Sequence, residues 1–212
     1  MQRIICSHGF GVLADGRGMF TELAAALPRL EFVTFDYNKV MPNGDILVAT
    51  LDEQAQKLQM AIDQNPDGSI LLCHSQGCII AGLVDLTKIS KVVLLAPPTS
   101  TSIQSFMQRM MERPGSNVNL NGISKLPRSD GTVTLVPASY LKSFAGKNPF
   151  ELYEAVANAK PTLIIRATED EVVGLTNVNE VQIATHRDIK ADHNFTGESR
   201  TQLIAAFDEF TQ

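Results

Sequence analysis

The chain has 212 residues, 44% of them hydrophobic, and a formal net charge of −5, enough for one domain spanning residues 1–212 with a substantial buried core. An acidic balance with scattered basic residues gives no electrostatic reason to expect nucleic acid or an anionic membrane as a partner. No apolar run approaches the ~20 residues needed to cross a bilayer, and Arg3 stands at the head of the first apolar run, so neither a signal peptide nor a membrane span is expected. A cytoplasmic location is the expectation that follows.

Apolar strand patterns and helical periodicities alternate along the chain, as a doubly wound parallel sheet requires. A strand is predicted over 3–7, then a helix over 18–27 in which Phe20, Leu23, Ala24 and Leu27 share one face. A strand over 32–37 and a turn at Pro42-Asn43-Gly44 lead to a helix over 48–62, with Leu51, Ala55, Leu58 and Ile62 on its apolar face. Asn65-Pro66-Asp67-Gly68 stops it. A second apolar strand over 69–74 meets a polar turn and another helical segment, and further strands are predicted over 91–96 and 161–167. A last strand falls within 181–190 without clear limits, and a final helix presents Leu203, Phe207 and Phe210 to the sheet.

Residues 98–148 break this alternation and read as an insertion. Its first part puts Ile103, Phe106, Met107 and Met110 on one helical face, suited either to core packing or to an adaptable substrate pocket. Asp130-Gly131 between polar and β-branched flanks predicts a hairpin, and Asn148-Pro149 predicts a helix start with Asn as N-cap and Pro at the first helical position.

Chemistry concentrates at Cys73-His74-Ser75-Gln76-Gly77. A serine used as a nucleophile must be exposed, placed beside a base and faced by N–H donors, and a sharp strand-to-helix turn with Ser75 at its apex meets these needs. This arrangement resembles the nucleophile elbow of the α/β-hydrolase superfamily, with Cys73 standing where G-x-S-x-G has its first glycine. His8-Gly9-Phe10-Gly11 is similar to that superfamily's oxyanion loop, and the strand ending in Thr168-Glu169-Asp170-Glu171-Val172-Val173 is similar to the run carrying its acid. Asp192-His193-Asn194 before the final helix takes the place of its histidine.

The resemblance implies a trimmed α/β-hydrolase fold of about six mostly parallel strands with helices on both faces and a small lid at 98–148. It also implies Ser75 as nucleophile, His193 as base, Asp170 as the acid that orients it, and the N–H groups of Phe10 and Gln76 as oxyanion donors. The expected activity is hydrolysis of a small carboxylic ester or thioester, with Phe106, Met107 and Met110 as pocket residues and no metal or organic cofactor. Amide hydrolysis, C–C bond cleavage or a non-catalytic binding role on the same scaffold remain open alternatives.

Of the other histidines, His8 is expected to shape the oxyanion loop, His74 to face away from the nucleophile, and His186 to compete with His193 for the role of base. Cys6, Cys73 and Cys78 form no CxxC pair and read as reduced core thiols.

Overall fold

Ten short strands and seven helices follow from these patterns in the computed structural model, which describes residues 1–174 and 178–212, with the side chains of Ile103, Ser105, Phe106 and Asn179 outside the described set. The strands are β1 (Gln2–Ser7), β2 (Leu30–Thr34), β3 (Lys39–Val40), β4 (Ile46–Leu47), β5 (Ser69–His74), β6 (Ile89–Leu95), β7 (Ile123–Pro127), β8 (Val133–Pro137), β9 (Thr162–Ala167) and β10 (Thr185–Ile189). The helices are α1 (Met19–Ala26), α2 (Leu51–Asp63), α3 (Gln76–Ala81), α4 (Ile103–Glu112), α5 (Ala138–Lys142), α6 (Pro149–Ala159) and α7 (Glu198–Thr211). Among the described residues no helix is long and apolar enough to cross a membrane.

The main sheet has six strands in the order β10-β9-β6-β5-β1-β2, every pairing parallel. Alternation along each strand splits the core in two. Ile5, Leu71, Cys73, Val92, Leu94 and Ile164 pack with α2, α3 and α6 on one face. Ile4, Cys6, Ile70, Leu72, Val93 and Ile165 pack with α1 and α7 on the other. Both faces are therefore dry, which is why the strands read as near-continuous apolar runs. From β1 the chain adds β2 on one side and later β5 on the other, so the strand order reverses between β1 and β5. The carboxyl ends of these two strands flank a topological switch point, where open α/β sheets place their ligands.

Local signals set the helix starts. Thr50 caps α2 in a reciprocal box, its Oγ1 accepting from the Glu53 N–H while Glu53 accepts from the Thr50 N–H. Asn148 accepts from the Phe150 N–H at 3.1 Å and Pro149 opens α6, as the sequence predicts.

A second sheet, in the order β3-β4-β8-β7, lies against the loop after β1, where Gly11 meets Thr134. The predicted hairpin forms it in part: β7 and β8 pair antiparallel around a turn in which Asp130 Oδ1 accepts from both the N–H and the hydroxyl of Thr132. The rest comes from residues 39–47, read from sequence only as a turn. There β3 and β4 pair antiparallel and β4 joins β8 in parallel. Asp45 Oδ1 accepts from the Val133 N–H at 2.8 Å and the Leu135 carbonyl accepts from the Val48 N–H at 2.9 Å. The 98–148 segment is thus stitched to a part of the chain that precedes α2.

Candidate active site

Ser75 sits where β5 ends and α3 begins, with φ 53° and ψ −123°. A non-glycine residue in this region costs on the order of 1–3 kcal/mol and persists only where its surroundings over-determine it. Here the Ser75 N–H donates to the Leu95 carbonyl and the Ser75 carbonyl accepts from the Cys78 N–H, both at 2.9 Å. Gly77 permits the turn by close approach: a Cβ there would lie 2.3 Å from the Ser7 carbonyl oxygen. Ser7 completes the joint, its hydroxyl donating to the Gly77 carbonyl at 3.2 Å and accepting from Tyr37 Oη at 2.7 Å.

The loop after β1 lies directly against this turn, since a Cβ on Gly9 would be 3.1 Å from Ser75 Cβ. His8 shapes that loop. Its Nε2 accepts from the Tyr37 N–H at 3.2 Å, so its proton is on Nδ1 and is donated to the Gly9 carbonyl at 2.9 Å. Burial lowers the His8 pKa, which keeps the neutral tautomer that these two bonds require. Gln76 is the first residue of α3, and its N–H is one of those a helix start leaves without an intrahelical partner. Its side chain is fixed in a buried chain, accepting from Tyr140 Oη and donating to Gln54 Oε1 at 2.7 Å, while Gln54 donates to the Ala49 carbonyl.

Asp170 and His193 meet at the end of β9. Their Oδ2 and Nδ1 atoms are 2.7 Å apart, and both residues are buried. Asp170 Oδ1 accepts from the N–H groups of Val172 and Val173, each at 2.8 Å. Burial disfavours the carboxylate, but the bond to His193, its charge and the two N–H donors outweigh this and hold the Asp170 pKa below its ordinary value. His186 takes no part: its Nε2 bonds to the Val181 carbonyl at 2.9 Å on the edge strand β10. Ser75 and His193 line one cavity together with Gly9 and Phe10. Among the described residues the Ser75 hydroxyl is not hydrogen-bonded to His193.

His74 extends onto the α1/α7 face, the face of Ile70 and Leu72, where the loop carrying His193 returns. Its Nε2 bonds to the His193 carbonyl at 2.9 Å and the two rings lie 4.8 Å apart. Burial, reinforced by His193, lowers its pKa to about 3, so a neutral His74 donates from Nε2 and holds the His193 backbone. Sequence reading missed two further supports of that loop. Glu171 accepts from the His193 N–H at 3.1 Å, and the buried Arg200 donates to the carbonyls of Phe195 and Asn194. Cys6, Cys73 and Cys78 are free and buried, and burial pushes each thiol upward, away from reactivity.

A second cavity that Ser75 also lines is largely apolar, its wall including Phe10, Ile79, Tyr140, Leu141, Phe144 and Val173. Neither Met107 nor Met110 is among the residues that line it. Met110 is buried in the core and Met107 packs part-buried against it, because the apolar face of α4 finds its burial there. The Phe106 side chain lies outside the described residues. Tyr140, Leu141 and Phe144 of that wall come from α5 and the turn after it, a segment whose sequence carries no ligand signal beyond its aromatics.

Solved structures share this architecture over nearly the whole chain. Est1E from Butyrivibrio proteoclasticus matches with a TM-score of 0.68 at 17% identity, covering 99% of this chain and 86% of its own. A monoacylglycerol lipase from Paleococcus ferrophilus matches with 0.66 at 16% identity over 98% and 93%. The esterase domain of a Rhodothermus marinus protein matches with 0.66 at 14% identity over 99% and 85%. No protein-family model matches the sequence, and no curated protein matches it by sequence.

Proposed function

On a chain that has the α/β-hydrolase fold, we propose a serine hydrolase that cleaves a small carboxylic ester or thioester through an acyl-enzyme on Ser75. The observation that carries this reading is the Asp170–His193 pair, 2.7 Å apart, opening into the same cavity as the strained Ser75 turn. His193 Nε2 takes the Ser75 proton as the hydroxyl attacks the carbonyl carbon, and Asp170 stabilises the imidazolium through Nδ1. The N–H groups of Phe10 and Gln76 receive the oxyanion. His193 then gives its proton to the departing alcohol or thiol, the acyl group stays on Ser75, and a water activated by the same imidazole releases it as the carboxylic acid. The esterase and lipase names of the structural neighbours support ester chemistry in general, and the chain's own geometry supports these residues for it.

Covalent labelling with a fluorophosphonate, followed by mapping of the modified residue, tests the reading. The label is expected on Ser75, and Ser75→Ala is expected to fold normally and lose kcat by on the order of 10⁴ to 10⁶. Labelling elsewhere, or ester hydrolysis unchanged in pure variant protein, would end it.

A further inference from the structure

The two cavities that meet at Ser75 differ in chemistry. The one walled by Ile79, Leu141 and Phe144 is largely apolar, with Arg109 as the one charged residue of its lining among the described residues. The one containing His193 is lined by Arg17, Arg113 and Arg128 with a single carboxylate, Glu171, that already accepts from the His193 N–H. Three arginines against one lining carboxylate, with Arg128 also paired to Asp130 at 3.5 Å, make this cavity a cationic patch on a chain whose net charge is −5. Glu171 does not neutralise them by contact: among the described residues, neither the Arg17 nor the Arg113 guanidinium makes an ion pair.

The position of each arginine comes from a different element. Arg17 precedes α1 in a run of three left-handed residues, Gly16, Arg17 and Gly18. A glycine would be at ease at its φ of 59°, so an arginine there is held at a local energetic cost. Arg113 follows α4. Arg128 opens the β7–β8 turn, with its guanidinium donating to the Gly11 carbonyl in the loop after β1.

We propose that the leaving half of the substrate is anionic, an alcohol or thiol bearing a phosphate or carboxylate that Arg17, Arg113 and Arg128 receive, while an apolar acyl group fills the other cavity. This rests on the acyl-transfer reading above. The assignment of halves follows from proton bookkeeping: His193 must protonate the departing oxygen or sulfur, so that atom and whatever it carries lie on the His193 side. The acyl group remains on Ser75 and occupies the side His193 does not line. Arginine suits the role because its planar fork matches carboxylate and phosphate oxygens.

The test compares three butyrate esters of similar size, with 4-carbamoylphenyl, 4-carboxyphenyl and 4-(phosphonooxy)phenyl leaving groups. The two anionic esters are expected to exceed the neutral one in kcat/KM by at least about tenfold, chiefly through KM, as hydrogen bonds to charged groups warrant. The margin should shrink in 0.5 M salt, a condition chosen because it shortens the Debye length to under about 5 Å. In Arg17→Gly/Arg113→Gln, whose glycine relieves the strained φ, the ratio should fall toward one. Arg187→Gln removes an equal kind of charge from β10, outside both cavities, and should keep the ratio. Whichever anionic ester gives the larger margin identifies the group received. A ratio near one in the unaltered protein, or one that survives the double substitution, overturns the inference while leaving acyl transfer standing. Failure to hydrolyse any of the three esters overturns both.

Discussion

Burial and the neighbouring His193 hold the His74 imidazole at a pKa of about 3, against roughly 6.5 in an unfolded chain. Between these values the unfolded state binds the proton and the folded state does not, so stability rises with pH across that window and is lost as pH falls through it. Asp170 acts in the same sense lower down: its folded pKa is depressed, so its contribution is present above the unfolded carboxyl value and lost as pH drops through the folded one. His74→Gln is therefore expected to flatten the loss of stability between pH 6.5 and 4.5 by up to about 1.4 kcal/mol per pH unit. Urea titrations at several pH values check this, and identical slopes for the two proteins would refute the assignment. A second contrast belongs to this scale. His193→Ala should cost nearly as much activity as loss of Ser75, whereas His186→Ala, whose ring bonds to the Val181 carbonyl, should cost little. Initial rates on one ester decide between them, and the reverse order would move the proposed base to β10.

The turns after β1, β5 and β9 were legible because each lies where an apolar strand runs into a polar turn, a contrast that survives in one dimension, whereas Asp192-His193-Asn194 was read only from its place before the final helix. His74 was not legible in this way. It belongs to a strand buried along its whole length, where alternation still assigns faces but nothing in the sequence says which loop covers the face it points to.

At the scale of elements, the joint between β1 and α3 is the least forgiving place. A methyl on Gly77 would meet backbone of Ser7 at 2.3 Å, and β1 cannot retreat because it is paired with β2 on one side and β5 on the other. Gly77→Ala is expected to destabilise the protein by about 3 kcal/mol or more, measured as a drop in the denaturation midpoint, and a change under about 0.5 kcal/mol would contradict this packing. The same elements explain what sequence could and could not reveal. α2 was readable because an apolar stripe runs into a clear stop at Asn65-Pro66-Asp67-Gly68, though the Thr50 cap sets its start three residues later than the sequence predicts. By contrast β10, Thr-His-Arg-Asp-Ile, is an edge strand with mostly polar or half-exposed side chains, so no apolar alternation marked its limits. The two-residue strands β3 and β4 are too short to carry a period at all; their pairing is decided by β8, far along the chain.

For the whole molecule, the doubly wound sheet was readable because its strands are dry on both faces, but the pocket wall was not, since its members come from loops and helices that only the tertiary fold brings together. Phe144 is the informative one. Phe144→Ala should shift preference toward longer acyl chains by on the order of tenfold in kcat/KM, since apolar pocket groups are worth roughly 1–3 kcal/mol per methylene-scale change. The same chain-length profile from C2 to C12 esters in both proteins would place the acyl group elsewhere.

The pairing of β4 with β8 also bears on the order of assembly. The β7–β8 hairpin closes locally, but Asp45 and Val133, which tie it to the earlier strand, are 88 residues apart in the chain. That contact carries a large loop-closure cost and is expected to form only after β1, α2 and β5 have brought its two halves together. Both cavities take part of their walls from the far side of this seam, so secondary structure should return during refolding before the serine becomes reactive. Covalent capture by a fluorophosphonate would then serve as a clock for the last long-range closure, lagging behind the helical signal, and capture that keeps pace with that signal would show the seam to be an early event.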